Sequence, residues 1–160
     1  MTWIETIIKF KTDFVCSNSG SILQIGFNKY VADSIQAHKP SSHTIIEINS
    51  QAYLCALEWS KNKPHVTVLF GDWFKLLVRD EIPKVDGVLF NISFDSRIEF
   101  INDLIEKCLN LGGKFTYWDD ERYKGIDLIL EFEDISFTEK DGQKKTYLMP
   151  KYTLRNKTLN

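Results

Sequence analysis

Five short apolar runs, each preceded by a segment with helical spacing of apolar residues, constrain the fold more than any other feature. The runs are SILQI (21–25), HTIIEI (43–48), HVTVLF (65–70), VDGVLFNI (85–92) and KFTYW (114–118). Helical spacing occurs at 2–16, 30–37, 51–61, 72–79 and 95–110. Strands that alternate with helices run parallel, because each helix returns the chain to the same edge of the sheet. The sequence therefore predicts an α/β fold with a mostly parallel sheet covered by helices on both faces.

Two local signals set helix boundaries within this pattern. Ser50 is a residue type that favours the N-terminal cap, and it precedes the helix predicted at 51–61. The glycines of Leu111-Gly112-Gly113 favour a helix end, which separates the helix at 95–110 from the fifth strand. We therefore expect a long fourth crossover helix followed by a short strand.

The periodicity changes near the C-terminus. Extended runs at 127–138 and 144–155 flank an Asp141-Gly142 pair, and Asp-Gly between such runs is a hairpin signal. An antiparallel β-hairpin at this position makes the sheet mixed. A chain of 160 residues fits one core. We expect one domain over 1–160, with an N-terminal helix at 1–17, βα repeats at 21–119 and the terminal hairpin at 126–155.

Charge and composition argue against several functional classes. A net charge of −2 provides no strong attraction to nucleic acid or anionic membrane. No apolar run approaches the roughly 18–20 residues that span a bilayer, and the acidic N-terminus does not resemble a secretory signal. Cys16, Cys55 and Cys108 are odd in number and widely spaced, which predicts reduced, buried thiols. The three histidines lack metal-ligand spacing. We expect a cytoplasmic protein without a bound metal.

Glycine and polar residues follow the predicted strands, at the edge where open α/β sheets bind ligands. Gly26 can let the backbone approach a ligand, Glu47 can accept two ribose hydroxyls, and Asp72 can accept from an exocyclic amine. Trp73 offers a flat apolar wall for a purine, and Asn91 offers an amide. Each also has an ordinary interpretation as a turn, cap or solvated residue. Because all lie on one rim of the sheet, we interpret them as one ligand site.

Seven segments resemble the class I S-adenosylmethionine-dependent methyltransferases, and more narrowly guanidinoacetate methyltransferase and its relatives among arginine methyltransferases. They are WIET (3–6), ILQIGF (22–27), HTIIEIN (43–49), VLFGDW (68–73), VDGVLFN (85–91), LNLGGKFTYW (109–118) and YLMPKYTL (147–154). They follow the family order with family-like spacing and cover nearly the whole chain. The resemblance implies a Rossmann-like methyltransferase domain with S-adenosylmethionine as cofactor. It also implies transfer of a methyl group to a guanidino, amine or amide nitrogen of a small molecule or peptide.

The resemblance implies roles for individual residues. The cofactor-binding residues would be Gly26, Phe27, Asn28, Glu47, Ile48, Asp72, Trp73 and Asn91. Of these, Gly26 and Phe27 would line the methionine end. Asn91 and Glu5 would be catalytic. The substrate-binding residues would be Glu5, Phe94, Asp119 and Asp120.

The chain departs from the family pattern at two of these positions. Asn28 stands where the family has a second glycine, and asparagine tolerates the left-handed backbone that such a turn needs. Asn91 replaces an acid, and an amide cannot act as a general base. The run Asn91-Ile92-Ser93-Phe94 shares its first and last residues with the Asn-Pro-Pro-aromatic motif of methyltransferases acting on nucleobase or glutamine amino groups. That pattern indicates catalysis by positioning and desolvation.

Two other interpretations stay open. A degenerate methyltransferase-like domain that binds a partner protein without transferring a methyl group agrees with the reduced glycine loop and with Asn91. An unrelated doubly wound nucleotide-binding protein is the third, although neither GxxxxGK[ST] nor GxGxxG occurs. A homodimer can close an open pocket through the terminal hairpin and exposed aromatic residues. The aromatic residues predicted for that surface are Tyr117, Trp118, Tyr123, Tyr147 and Tyr152.

Overall fold

The computed structural model describes residues 2–18, 20–92, 97–119, 123 and 125–155. Its helices are α1 (Trp3–Val15), α2 (Lys29–Ala37), α3 (Ser50–Ser60), α4 (Trp73–Val78) and α5 (Ile101–Cys108), with a 3₁₀ turn at Ile98–Phe100. Its strands are β1 (Ser21–Ile25), β2 (Ser42–Glu47), β3 (Val66–Phe70), β4 (Val85–Phe90), β5 (Leu109–Tyr117), β6 (Glu131–Thr138) and β7 (Lys144–Thr153).

The seven strands form one sheet in the order β3-β2-β1-β4-β5-β7-β6. Strands β1 to β5 are parallel, whereas β7 runs antiparallel to β5 and pairs with β6 along the full length of β6. The predicted α/β class, the parallel sheet and the C-terminal hairpin are confirmed. The chain moves outward from β1 to β3 and then returns to β4 on the other side of β1. The topological switch point therefore lies between the carboxyl ends of β1 and β4, where open α/β sheets bind ligands.

Alternating side chains along the strands build an apolar core on each face. Ile22 and Leu89 pack with α1 and α2 on one face, whereas Leu23, Ile25 and Phe90 pack with α4 and α5 on the other. These side chains are at most 1% exposed, as expected for parallel strands covered on both faces. Within the described part of the chain, no helix combines the length and apolar character needed to cross a bilayer.

Two predicted helix boundaries are wrong. α5 ends at Cys108, and Leu109 instead begins β5, where it pairs with Val85. Leu109 continues the apolar side of the helical pattern and is also buried as a strand residue, so the apolar pattern alone does not separate helix from strand. The register between β4 and β5 shifts after Val85, and this irregularity accommodates the two glycines within β5. At the start of α3, the cap is Asn49, whose side chain accepts from the backbone N–H of Ala52 at 2.9 Å.

The prediction that Tyr117 belongs to an exposed aromatic surface is also wrong, because Tyr117 is completely buried. The Lys11 ammonium donates to the Tyr117 carbonyl and lies 5.2 Å from the Trp118 ring centroid and 5.1 Å from that of Tyr147. These aromatic rings therefore hold α1 against the carboxyl end of β5. Burial is confirmed for two of the three cysteines, and Cys55 is exposed.

Candidate active site

A cavity of about 100 Å³ lies at the carboxyl ends of β1, β2 and β3, beside the switch point. It gathers residues that lie more than 40 positions apart in the sequence. Five of the predicted cofactor-binding residues line it: Gly26, Glu47, Ile48, Asp72 and Trp73. Ile92 and Arg97 also line it. The predicted rim is therefore a single concave site in the folded chain.

Gly26 is the glycine that this site requires. Its φ is +90°, a region that residues with a Cβ rarely adopt. A Cβ built on Gly26 would lie 2.4 Å from Cγ2 of Ile92 and 3.2 Å from the Asn91 carbonyl oxygen. The loop after β1 thus lies directly against the loop after β4, and only a glycine fits between them.

The two residues after Gly26 act differently from the prediction. Asn28 has an extended φ of −141° and caps α2, where its side chain accepts from the backbone N–H of Tyr30 at 2.9 Å. The left-handed turn predicted at Asn28 is therefore wrong, and the positive φ falls on Gly26 alone. The Phe27 ring lies 5.9 Å from the Trp59 ring and does not line the cavity. Phe27 contributes to the site through its backbone N–H.

Glu47 joins the loops after β1 and β2. Its Oε1 accepts from the Phe27 N–H at 2.8 Å and its Oε2 accepts from the Asn49 N–H at 2.9 Å. The residue is 8% exposed, so the carboxylate lies at the cavity floor rather than in solvent. Each carboxylate oxygen has a second lone pair, so the group can still accept from two hydroxyls of a ligand.

Asp72 has a role in the fold as well as a position in the cavity. One carboxylate oxygen caps α4 by accepting from the Phe74 N–H at 3.1 Å. The other accepts from the Arg97 guanidinium, which also lies 5.5 Å from the Phe74 ring centroid. The oxygen predicted to bind an exocyclic amine is thus engaged by an arginine. Sequence analysis missed Arg97, because no local signal places it opposite an acid 25 residues away.

Trp73 borders the cavity but is not the flat wall that was predicted. It is 6% exposed, and its ring meets those of Phe74 and Phe90 edge-on at 6.3 and 5.4 Å. The ring therefore belongs to the apolar core below the site. Ile48, which is 60% exposed, supplies the accessible apolar surface of this cavity.

Asn91 and Asp119 follow the adjacent strands β4 and β5. The Trp118 N–H donates to the Phe90 carbonyl at 2.9 Å, which fixes the two strand ends side by side. Asp119 accepts a hydrogen bond from the Tyr123 hydroxyl. No hydrogen bond joins the Asn91 side chain to another described residue. The other two predicted substrate residues, Phe94 and Asp120, lie outside the described residues.

Glu5 does not belong to this site. Its carboxylate accepts from the Thr2 N–H at 3.1 Å and completes the capping box at the start of α1. It lines a separate depression with residues of the hairpin tip, including Thr138 and Asp141. The structure thus gives Glu5 a helix-capping contact outside the cavity, and its predicted catalytic and substrate-binding roles stay a prediction.

Comparison with known proteins agrees with this geometry. The family model described as guanidinoacetate N-methyltransferase matches residues 2–154. No curated protein matches the chain. The chain is similar in structure to the N-methyltransferase NodS from Bradyrhizobium japonicum, with a TM-score of 0.68 and 14% identity over 96% of this chain and 95% of that one.

Enzymes with other target atoms share the fold. An O-methyltransferase from Bacillus cereus in complex with SAH gives a TM-score of 0.68 at 13% identity, over 94% of this chain and 81% of that one. The tRNA methyltransferase TrmK from B. subtilis gives 0.62 at 19% identity, over 91% of this chain and 64% of that one. These likenesses show the fold and leave the acceptor atom open.

The match of the family model over residues 2–154, together with the strand order, identifies the protein as a class I methyltransferase whose cofactor is S-adenosylmethionine. Within that class, the chain belongs to the guanidinoacetate N-methyltransferase family.

Proposed function

We propose that this protein transfers a methyl group to a nitrogen atom of a small molecule or peptide, in a guanidino, amine or amide group. The observation that carries the proposal is the position of Asn91. Its side-chain amide stands at the carboxyl end of β4 with no hydrogen-bond partner among the described residues, next to the glycine loop at Gly26. It is half-buried, so its amide oxygen is available to accept a hydrogen bond from a substrate N–H group.

The residues of the cavity fit S-adenosylmethionine chemically. Glu47 would hold the ribose hydroxyls, Asp72 would accept from the adenine amine, and Ile48 would cover the base. Gly26 would let the backbone approach the methionine end. When bound, the cofactor supplies an electrophilic methyl group on a sulfonium. The cavity is smaller than the roughly 300–1,000 Å³ of most ligand pockets, so we expect Arg97 to leave Asp72 when the adenine binds.

On the substrate side, the residues supply position and charge rather than a strong base. The Asn91 carbonyl would accept from the nitrogen to be methylated and orient its lone pair. Asp119 carries a carboxylate at the neighbouring strand end, suited to a cationic group on the substrate. Because an amide does not remove a proton at neutral pH, the nitrogen would lose its proton to Asp119 or water. Orientation alone can supply a large part of the rate.

The test uses methyl-tritiated S-adenosylmethionine with guanidinoacetate, small primary amines and glutamine-containing peptides as acceptors. We expect one acceptor class to be labelled and Asn91→Ala to lower kcat about 100-fold with unchanged affinity for S-adenosylhomocysteine. Asn110→Ala is the matched control, because Asn110 pairs with Asp86 at the opposite end of the strands. Binding of S-adenosylhomocysteine without labelling of any acceptor would instead support a non-catalytic, partner-binding role.

A further inference from the structure

A chain of hydrogen-bonded polar side chains runs from the glycine loop across β1 and β2 to the start of β3. The chain runs through Gln24 on β1, His43 on β2, Gln36 on α2 and His65 before β3. Gln24 and His43 are completely buried. Burying a polar side chain in an apolar sheet costs free energy unless the side chain is hydrogen-bonded. Packing alone therefore does not explain why Gln24 and His43 are present here.

Hydrogen bonds of ordinary length join the four side chains to one another and to Gly26, and a longer contact reaches Asn28. The Gln24 amide lies 3.2 Å from the Gly26 carbonyl oxygen and 3.4 Å from that of Asn28. The other end of the Gln24 side chain lies 2.9 Å from Nε2 of His43. Nδ1 of His43 lies 2.9 Å from the Gln36 amide nitrogen, and the Gln36 carbonyl oxygen lies 2.8 Å from Nε2 of His65.

The loop carbonyls determine the direction of the whole chain. A carbonyl can only accept, so Gln24 must present its NH₂ group to Gly26 and Asn28 and its oxygen to His43. His43 must then donate from Nε2 and, being neutral, accept at Nδ1 from the Gln36 NH₂ group. Gln36 in turn presents its oxygen to His65, which donates from Nε2. Every donor in the chain points toward the loop, and each residue is fixed by the one before it.

The hydrogen-bond pattern requires a neutral His43 imidazole, and the surroundings of His43 favour that neutral form. Burial, together with a smaller effect of the neighbouring His65, lowers the pKa of His43 from 6.5 to about 3. The His43 ring also makes an edge-to-face contact with the Trp59 ring, with the two centroids 5.8 Å apart.

We propose that His43 and Gln24 are positioning residues for the cofactor: the relay from His65 holds the Gly26–Asn28 loop in its binding conformation. The relay draws two loop carbonyls toward the protein interior, while Glu47 holds the Phe27 N–H from the other side. The loop is thereby restrained at three successive residues before any ligand arrives. The inference rests on the proposed placement of S-adenosylmethionine at this loop.

The test compares affinity for S-adenosylhomocysteine with local backbone protection. His43→Phe keeps an aromatic ring and removes both hydrogen bonds of His43. Gln24→Met keeps a side chain of similar length and removes the bonds to His43, Gly26 and Asn28. We expect each to weaken binding about tenfold, and to speed amide hydrogen exchange at 26–28 while exchange in β6 and β7 stays unchanged. His43→Gln keeps one donor and one acceptor, and we expect its affinity within about threefold of the original.

Asn110→Ala is the matched control, because Asn110 pairs with Asp86 at the opposite end of the strands, away from the relay and the loop. It should leave the affinity for S-adenosylhomocysteine unchanged. Original affinity and loop protection in both His43→Phe and Gln24→Met would overturn the proposal, as would equal losses in folded His43→Phe and His43→Gln. If the unmodified protein does not bind S-adenosylhomocysteine, the proposed cofactor placement fails and this inference falls with it.

Discussion

Gly26→Ala gives the clearest mutational test of the site, because the structure shows two separate costs. A residue with a Cβ at φ +90° loses about 1–2 kcal/mol to backbone strain. The new Cβ would also lie 2.4 Å from Cγ2 of Ile92 and 3.2 Å from the Asn91 carbonyl oxygen. Moving these groups in a packed site costs roughly 1–3 kcal/mol more. We expect Gly26→Ala to lower the free energy of unfolding by about 3 kcal/mol.

Gly142→Ala separates the two contributions. Gly142 has a similar φ of +84°, in the turn between β6 and β7, but a Cβ there would meet nothing within 4 Å. Its substitution should therefore show the strain alone, about 1–2 kcal/mol. Urea unfolding of both variants measures the difference. Ile92→Ala added to Gly26→Ala should recover part of the loss, since it removes the nearest atom.

The reasoning would be refuted if both glycine substitutions cost the same, because the contact with the loop after β4 would then carry no energy. It would also be refuted if Gly26→Ala bound S-adenosylhomocysteine with the original affinity. A shift of the loop large enough to relieve a 2.4 Å contact must change the cavity that the loop lines.

Calorimetry should show that Arg97→Gln binds S-adenosylhomocysteine about fivefold more tightly. In this variant the adenine no longer competes with the Arg97–Asp72 ion pair, which is worth about 1 kcal/mol. Weaker binding would show that Arg97 contacts the ligand instead. Because the folded pKa of His43 is depressed to about 3, the unfolded chain binds more protons between pH 3 and 6.5. Stability should be complete above about pH 6.5 and fall toward pH 3, and His43→Gln should remove up to about 1.4 kcal/mol per pH unit of that slope in urea titrations. A thiol reagent at pH 8 should modify Cys55 alone in the native protein, since burial raises the pKa of Cys16 to about 12 and that of Cys108 to about 11.

Local patterns predict the elements of this fold where they are bounded by turn residues. SILQI lies between Gly20 and Gly26, and β1 covers the same five residues as the prediction. The boundary between α5 and β5 could not be predicted from local sequence patterns. An apolar residue such as Leu109 fits both the end of the helix and the start of the strand, and its pairing with Val85 depends on tertiary packing.

The location of the site could be predicted for a similar reason, since parallel strands bring their carboxyl ends to one edge. The contacts that the side chains make at that edge could not be predicted. Asp72 is shared with Arg97, Glu5 turns back to its own helix, and Gln24 reaches the loop from beneath. Each of these partners is set by packing between distant segments. A polar residue inside an apolar strand, such as Gln24 or His43, is the one signal in the sequence that indicates such a network.

Calorimetric titration of the purified chain with S-adenosylmethionine tests the central claim most directly, with Glu47→Gln and Glu133→Gln as paired variants. Glu47 lines the cavity, whereas Glu133 pairs with Lys151 on the terminal hairpin. We predict micromolar binding that weakens at least tenfold in Glu47→Gln, where one charged hydrogen-bond acceptor is lost, and stays unchanged in Glu133→Gln. Absence of heat at millimolar ligand, or equal affinity in both variants, would contradict a cofactor site at the carboxyl ends of β1 to β3.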